Sequence, residues 1–201
     1  MSLGFNTESK SSGDIVPIIK FDAKAGEFIK VDKEQAADGT WVADQSEIDL
    51  PFKAVMDLAN IEVGWLAFPL AGPPDFHMVK LGDKMPAQPT DEHKQAFRIR
   101  LFNKSLGLRV FSHSAKTVVR CMDALHTQYE AERAANSGKM PVVEAGKCET
   151  VKIQTPQGEL RFKAPSWKIV SWVNAPEEFS GAAPAPKPAP APAAEDDDNE
   201  F

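Results

Sequence analysis

Between Glu92 and Asp123 there is no acidic residue, while the same stretch holds Lys94, Arg98, Arg100, Lys104, Arg109, Lys116 and Arg120. Such a run offers a polyanion a uniformly attractive surface, and polyanion binding depends on a local patch more than on net charge. Phe102 and Phe111 are interleaved with these cations. Cations beside rings suit a single-stranded nucleic acid. Lys and Arg meet its phosphates, and flat apolar rings replace lost base stacking at ~1–3 kcal/mol per base. Duplex readers usually present a basic helix to base edges instead, and no such helix is legible here.

Strand alternation sharpens the expectation. In 97–102, Phe97, Ile99 and Leu101 share one face, assigned to the core, and Arg98, Arg100 and Phe102 share the other. In 106–111, Leu106, Leu108 and Val110 share a face, leaving Arg109 and Phe111 opposite. If the two strands pair, one hairpin surface is expected to show Arg98, Arg100, Phe102, Arg109 and Phe111, with Lys104 in the connection. The last strand repeats the theme: Lys168, Val170 and Trp172 alternate onto one face. Arg98, Arg100, Lys104, Arg109 and Lys168 are thus expected phosphate contacts, and Phe102, Phe111 and Trp172 expected stacking platforms. Trp41, Trp65 and Trp167 are further aromatic candidates. The competing reading is a solvated Arg face whose rings cover a second cluster or a dimer contact.

The elements that must position these residues are mostly strands. Segments 15–21 and 27–31 flank Ala23-Lys24-Ala25-Gly26 as a hairpin. Segment 61–70 reads as a buried strand ended by Gly72-Pro73-Pro74. After 97–102 and 106–112 the period changes. Ser114 can cap a helix in which Val118, Met122, Leu125 and Tyr129 form a core stripe, and Asn136-Ser137-Gly138 stops it. Segments 151–155 and 159–163 around Pro156-Gln157-Gly158 read as a hairpin, and 167–173 as a final strand. The expected class is mainly β, an OB-fold-like barrel with one long α-helix. A β-sandwich decorated by one helix is the alternative.

The 201 residues suffice for one domain with appendages. Residues 1–13 read as a flexible lead-in, polar and without a signal peptide's apolar centre, and 14–179 as the folded domain. No apolar run approaches the ~20 residues that span a bilayer, so a cytoplasmic location is expected, without a membrane partner. Cys121 and Cys148 read as reduced thiols. His77, His93, His113 and His126 show no ligand spacing among themselves or with the cysteines, so neither metal nor cofactor is expected. Phosphate-loop, dinucleotide, zinc-protease and serine-hydrolase motifs are absent, which argues against an enzyme.

The net charge of −6 sits largely at one end. Glu195, Asp196, Asp197, Asp198 and Glu200 precede Phe201, and residues 1–180 hold 22 Lys+Arg against 24 Asp+Glu. Upstream, 180–194 is a Pro/Ala linker with five prolines, extended and semi-stiff. Linker and acidic tip resemble the C-terminal end of bacterial and phage single-stranded DNA-binding proteins. In those families a flexible linker ends in acids and a terminal aromatic. Glu200, rather than proline, before Phe201 is closer to the phage pattern. The resemblance implies sequence-independent binding of single-stranded DNA, in host cytoplasm if the chain is viral. It further implies recruitment of replication, recombination and repair proteins (polymerase, primase or helicase) through Glu195, Asp196, Asp197, Asp198, Glu200 and Phe201. Homo-oligomerisation is compatible with it. A terminal ring and carboxylate at one point suit capture. The alternatives are a non-catalytic acidic-tailed assembly factor or chaperone, and a duplex-binding or strand-annealing protein on the same fold.

Overall fold

The computed structural model describes residues 17–35, 41–70, 73–156 and 158–180. The lead-in 1–13, all of the linker but Ser180, and the acidic tip lie outside the described residues.

Strand β1 (Ile18–Asp22) alternates Ile19 and Phe21 inward with Lys20 and Asp22 outward. The Asp22 carboxylate accepts the N–H groups of Lys24 and Ala25 at 2.7 and 3.1 Å, turning the chain into β2 (Glu27–Gln35). There follow β3 (Trp41–Ile48), β4 (Phe52–Met56), β5 (Glu62–Ala67) and β6 (Asp75–Lys80). Next come β7 (Lys94–Asn103), β8 (Gly107–His113), helix α1 (Lys116–Glu132), β9 (Lys139–Thr155) and β10 (Gly158–Asn174). The sheet order is β10-β9-β4-β7-β8-β1-β2-β3. Among the described residues, only β1 and β8 run parallel. The ten residues of β7 are shared: its N-terminal half pairs with β5, which carries β6, and its C-terminal half with β4.

This sheet curls into a half-barrel, the mainly β, barrel-like fold with one long helix that the element order implied. The curl brings the β9–β10 hairpin onto the β1–β2 turn, where the Lys163 N–H donates to the Ala23 carbonyl at 2.7 Å and the Cys148 thiol to the Gly26 carbonyl at 3.2 Å. Gly26 has φ +83°, and a Cβ there would stand 2.8 Å from Lys163 Cγ. Both the turn and the close approach therefore require glycine. Gly26→Ala is expected to cost about 1–2 kcal/mol from the left-handed backbone alone, read as a lower midpoint in urea with unchanged slope.

Phe21, Phe28, Phe97, Ile99, Leu101 and Phe111 fill the concave side. Helix α1 closes it with Val118, Met122, Leu125 and Tyr129, the expected stripe. The helix starts later than Ser114, and Ser114 does not cap it. His113 instead fixes the entry: its Nδ1 accepts the Ala115 N–H at 3.0 Å, while Nε2 lies 3.3 Å from the Phe21 carbonyl. Burial pushes the His113 pKa down, because protonating Nδ1 would strand a charge out of water. One 3-10 turn (Arg133–Asn136) extends the helix before Gly138, at φ +76°, turns the chain.

Segments 151–155, 159–163 and 167–173 belong to one hairpin whose strands are 17 residues each. Its register shifts between Ala164 and Ser166 and between Ile169 and Ser171. Pro165 sits in the first shift, where no ladder hydrogen bond is owed. Strands β3, β4 and β6 were not legible as full elements.

Candidate nucleic-acid interface

The β7–β8 hairpin decides which side chains share a surface. Its connection is Lys104, Ser105 and Leu106, held by the Asn103 side-chain oxygen, which accepts the Ser105 and Leu106 N–H groups at 2.7 and 3.1 Å. Gly107, at φ +73°, completes it. A three-residue loop pairs Asn103 with Gly107, so Leu101 faces Arg109 and Ile99 faces Phe111. Arg109 and Phe111 therefore lie on the core face, with Phe97, Ile99 and Leu101. This corrects the expected hairpin surface: the residues beside Arg98, Arg100 and Phe102 are Ser112, Val110 and Leu108. Slipping parity by one residue moves a whole strand's side chains to the other face.

Phe111 is 1% exposed, with ring centroids of Phe97 and Trp167 at 5.5 and 5.8 Å, and is no base platform. Arg109 is 5% exposed at one end of the barrel. Its Nη1 meets the Asp32 carboxylate at 2.7 Å and its Nε donates to the Leu106 carbonyl at 2.7 Å. The Arg109 hydrogen bond, aided by the charges of Arg109 and Lys30, holds the Asp32 carboxyl below the usual range against the desolvation that opposes it.

Arg98 and Arg100 do lie on the outer face, but each is engaged. Arg98 pairs with Glu62 on β5 and covers the Phe76 ring at 5.5 Å. Arg100 reaches Asp57, in the β4–β5 connection, at 2.7 Å, and covers Phe179 at 5.5 Å. The stretch without acids in sequence is thus supplied with carboxylates in space by other elements.

Trp172 is displaced from the Lys168 face by the second register shift of β10. One extra residue between Ile169 and Ser171 reverses the alternation. Trp172 stacks on Tyr129 at 5.8 Å and 26°, with its Nε1 3.3 Å from Glu132. Trp167 packs against Phe28 and Phe111. Trp65 donates from Nε1 to the Pro86 carbonyl at 2.9 Å. The Trp41 side chain lies outside the described residues, as do Glu195, Asp196, Asp197, Asp198, Glu200 and Phe201.

What remains outward is a different constellation. Across four strands a row runs Val142, Val55, Phe102 and Leu108, each opposite the next, and every member is half-buried. A neighbouring row carries Lys168, Glu144 and Lys53, with Lys53 and Glu144 at 3.3 Å. Lys104 stands exposed at the hairpin turn. The arrangement offers an apolar strip with Phe102 near its middle, flanked by Lys53 and Lys168 on one side and by Arg100 on the other. Sequence reading missed Lys53, Val55 and Val142. The alternation of Phe52-Lys53-Ala54-Val55-Met56, with Ala54 and Met56 buried, was the available signal.

One cluster of metal-ligating types forms among the described residues: Asp75, His77 and His93, whose donor atoms all lie within 4.8 Å of one another. Neither sequence spacing nor composition signalled it. No helix among the described residues is long and apolar enough to cross a membrane.

Comparison with protein families, curated proteins and solved structures found no match.

Proposed function

We propose that the chain binds single-stranded DNA without sequence preference, laying bases along the Val142–Val55–Phe102–Leu108 strip. The observation that carries this reading is that strip: apolar side chains left half-exposed on the outside of a half-barrel, with a ring among them and lysines beside them. Base stacking and apolar contact need no particular base, and Lys53, Lys104 and Lys168 supply phosphate contacts. Arg98 and Arg100 serve chiefly as structural cations, since each is mostly buried, bound to a carboxylate and laid over a ring, whereas the Lys53 side chain is 60% exposed and its pair with Glu144 opens to a phosphate. The segment 195–201, tethered by the Pro/Ala linker, recruits replication and repair proteins and competes weakly for the lysines, its −5 charge being held at high local concentration.

The test is anisotropy of labelled oligo(dT) at two salt concentrations. Phe102→Ala is expected to weaken binding by about 5- to 150-fold, the worth of one stacked base, without lowering thermal stability appreciably. Lys104→Ala is expected to flatten the log K against log salt slope by about 0.7. Truncation to 1–194 leaves binding intact or stronger. Absence of binding by the full chain at low salt overturns the proposal.

A second reading draws on the neutralised arginines. A non-catalytic assembly factor would use the same strip to dock a protein, and its tail would be required for all binding. Loss of every interaction on truncation to 1–194, with no affinity for oligo(dT), selects it.

A further inference from the structure

We infer that Asp75, His77 and His93 form a site for a divalent first-row transition ion, with Zn2+ as the fitting case. This goes beyond nucleic-acid binding and does not depend on it.

Asp75 and His77 are two residues apart on β6, so their side chains leave the strand on one face. His93 arrives from the far end of the connection that follows β6. That connection is tied down at several points: Pro86 accepts from Trp65 Nε1 at 2.9 Å, the His93 carbonyl accepts from Gln88 Nε2 at 2.9 Å, and the His93 N–H donates to Thr90 at 3.1 Å. His93 is 6% exposed, and its ring meets His77 edge-on at 5.3 Å. His93 is thus a buried imidazole whose two ring nitrogens face a hydroxyl and a carboxylate.

Two of the three donor separations lie close to those around a small tetrahedral ion, and the third, between the two imidazoles, is within 4.8 Å. His93 Nε2 lies 3.1 Å from the Asp75 carboxylate and His77 Nε2 lies 3.3 Å from it. Ligand atoms at zinc bonds of ~2.0–2.1 Å stand about 3.4 Å apart in a tetrahedron. Small outward shifts of the exposed Asp75 carboxylate would admit the ion. His93 Nδ1 is 2.8 Å from the Thr90 hydroxyl, the outer partner that orients a ligating imidazole and leaves Nε2 to the metal. Two imidazoles and one carboxylate favour zinc and its neighbours over calcium or magnesium, which prefer all-oxygen sites. Asp75 is 52% exposed on its side chain, so the fourth position opens to water. Bound there, the ion clamps the 81–93 connection onto β6 and steadies the entry to β7.

The experiment is equilibrium dialysis of the full-length chain against micromolar Zn2+, with elemental analysis, thermal melts with and without Zn2+, and the visible spectrum with Co2+. The expected result is one ion per chain, a saturable rise in Tm of several degrees, and Co2+ bands displaced by Zn2+. His77→Ala is expected to abolish all three while keeping the metal-free Tm, since His77 is only half-buried. Asp75→Asn is the second variant, expected to weaken binding at least tenfold. Wild-type chain that retains no stoichiometric zinc and shows no Tm shift overturns the inference, whatever the variants do. So does equal binding by wild type, His77→Ala and Asp75→Asn.

Discussion

Phe111→Ala is expected to destabilise the domain by about 3–5 kcal/mol, the cost of deleting a buried aromatic and leaving its cavity. The ring is 1% exposed and lies within 6.0 Å, centroid to centroid, of Phe28, Phe97 and Trp167. It also faces Ile99 across the β7–β8 ladder. No single rearrangement fills the space, because those neighbours come from β2, β7 and β10 and are each fixed by other contacts. Chemical unfolding measures the loss as a lower midpoint. The comparison with Phe102→Ala is the informative part. Phe102 and Phe111 were expected to act alike, whereas the structure separates them. Phe111→Ala should cost stability, and any loss of oligo(dT) affinity should vanish under conditions where the variant is still folded. Phe102→Ala should do the reverse. A stable Phe111→Ala variant with selectively impaired DNA binding would restore the original face assignment.

Asp32→Ala carries the second large effect, about 3 kcal/mol, because it leaves the Arg109 guanidinium inside without its carboxylate. The Arg109 side chain is 6% exposed against 28% for Asp32, so the arginine has the poorer access to water. Its remaining partners are the Leu106 and Val31 carbonyls. Arg109→Met should be milder, since Asp32 can hydrate and a methionine fills the vacated volume. The effect has a pH signature. Arg109's hydrogen bond depresses the Asp32 pKa in the folded chain. A depressed carboxyl contributes stability in full above its unfolded value of about 3.9 and loses it as the pH falls through the folded value. Wild type and Asp32→Ala should therefore differ most from mildly acidic to neutral pH and converge in acid. A difference that grows as the pH falls would contradict the pair's assigned role.

Local order was legible in the sequence because local sterics produce it. Period-2 alternation in 97–102 placed Phe97, Ile99 and Leu101 in the core, and the helical stripe Val118, Met122, Leu125 and Tyr129 packs as its spacing required. The flanking β-rich runs marked the turn at Ala23–Gly26 and the tight connection around Asn103-Lys104-Ser105. A mainly β, barrel-like chain with one long helix follows from those signals together. Three things were decided only in three dimensions. The parity of the β7–β8 pairing sent Arg109 and Phe111 inward, because a three-residue connection fixes which residues oppose, and neither strand's own pattern reveals its partner's register. A one-residue register shift in β10 carried Trp172 under the helix, an event invisible to a rule that counts by twos. The carboxylates of Asp32, Asp57 and Glu62 reached Arg109, Arg100 and Arg98 from distant segments, and Asp75 and His77 met His93 in the same way. Charge and coordination act through space over a few ångströms, so the chain's linear order records them only where folding keeps neighbours together.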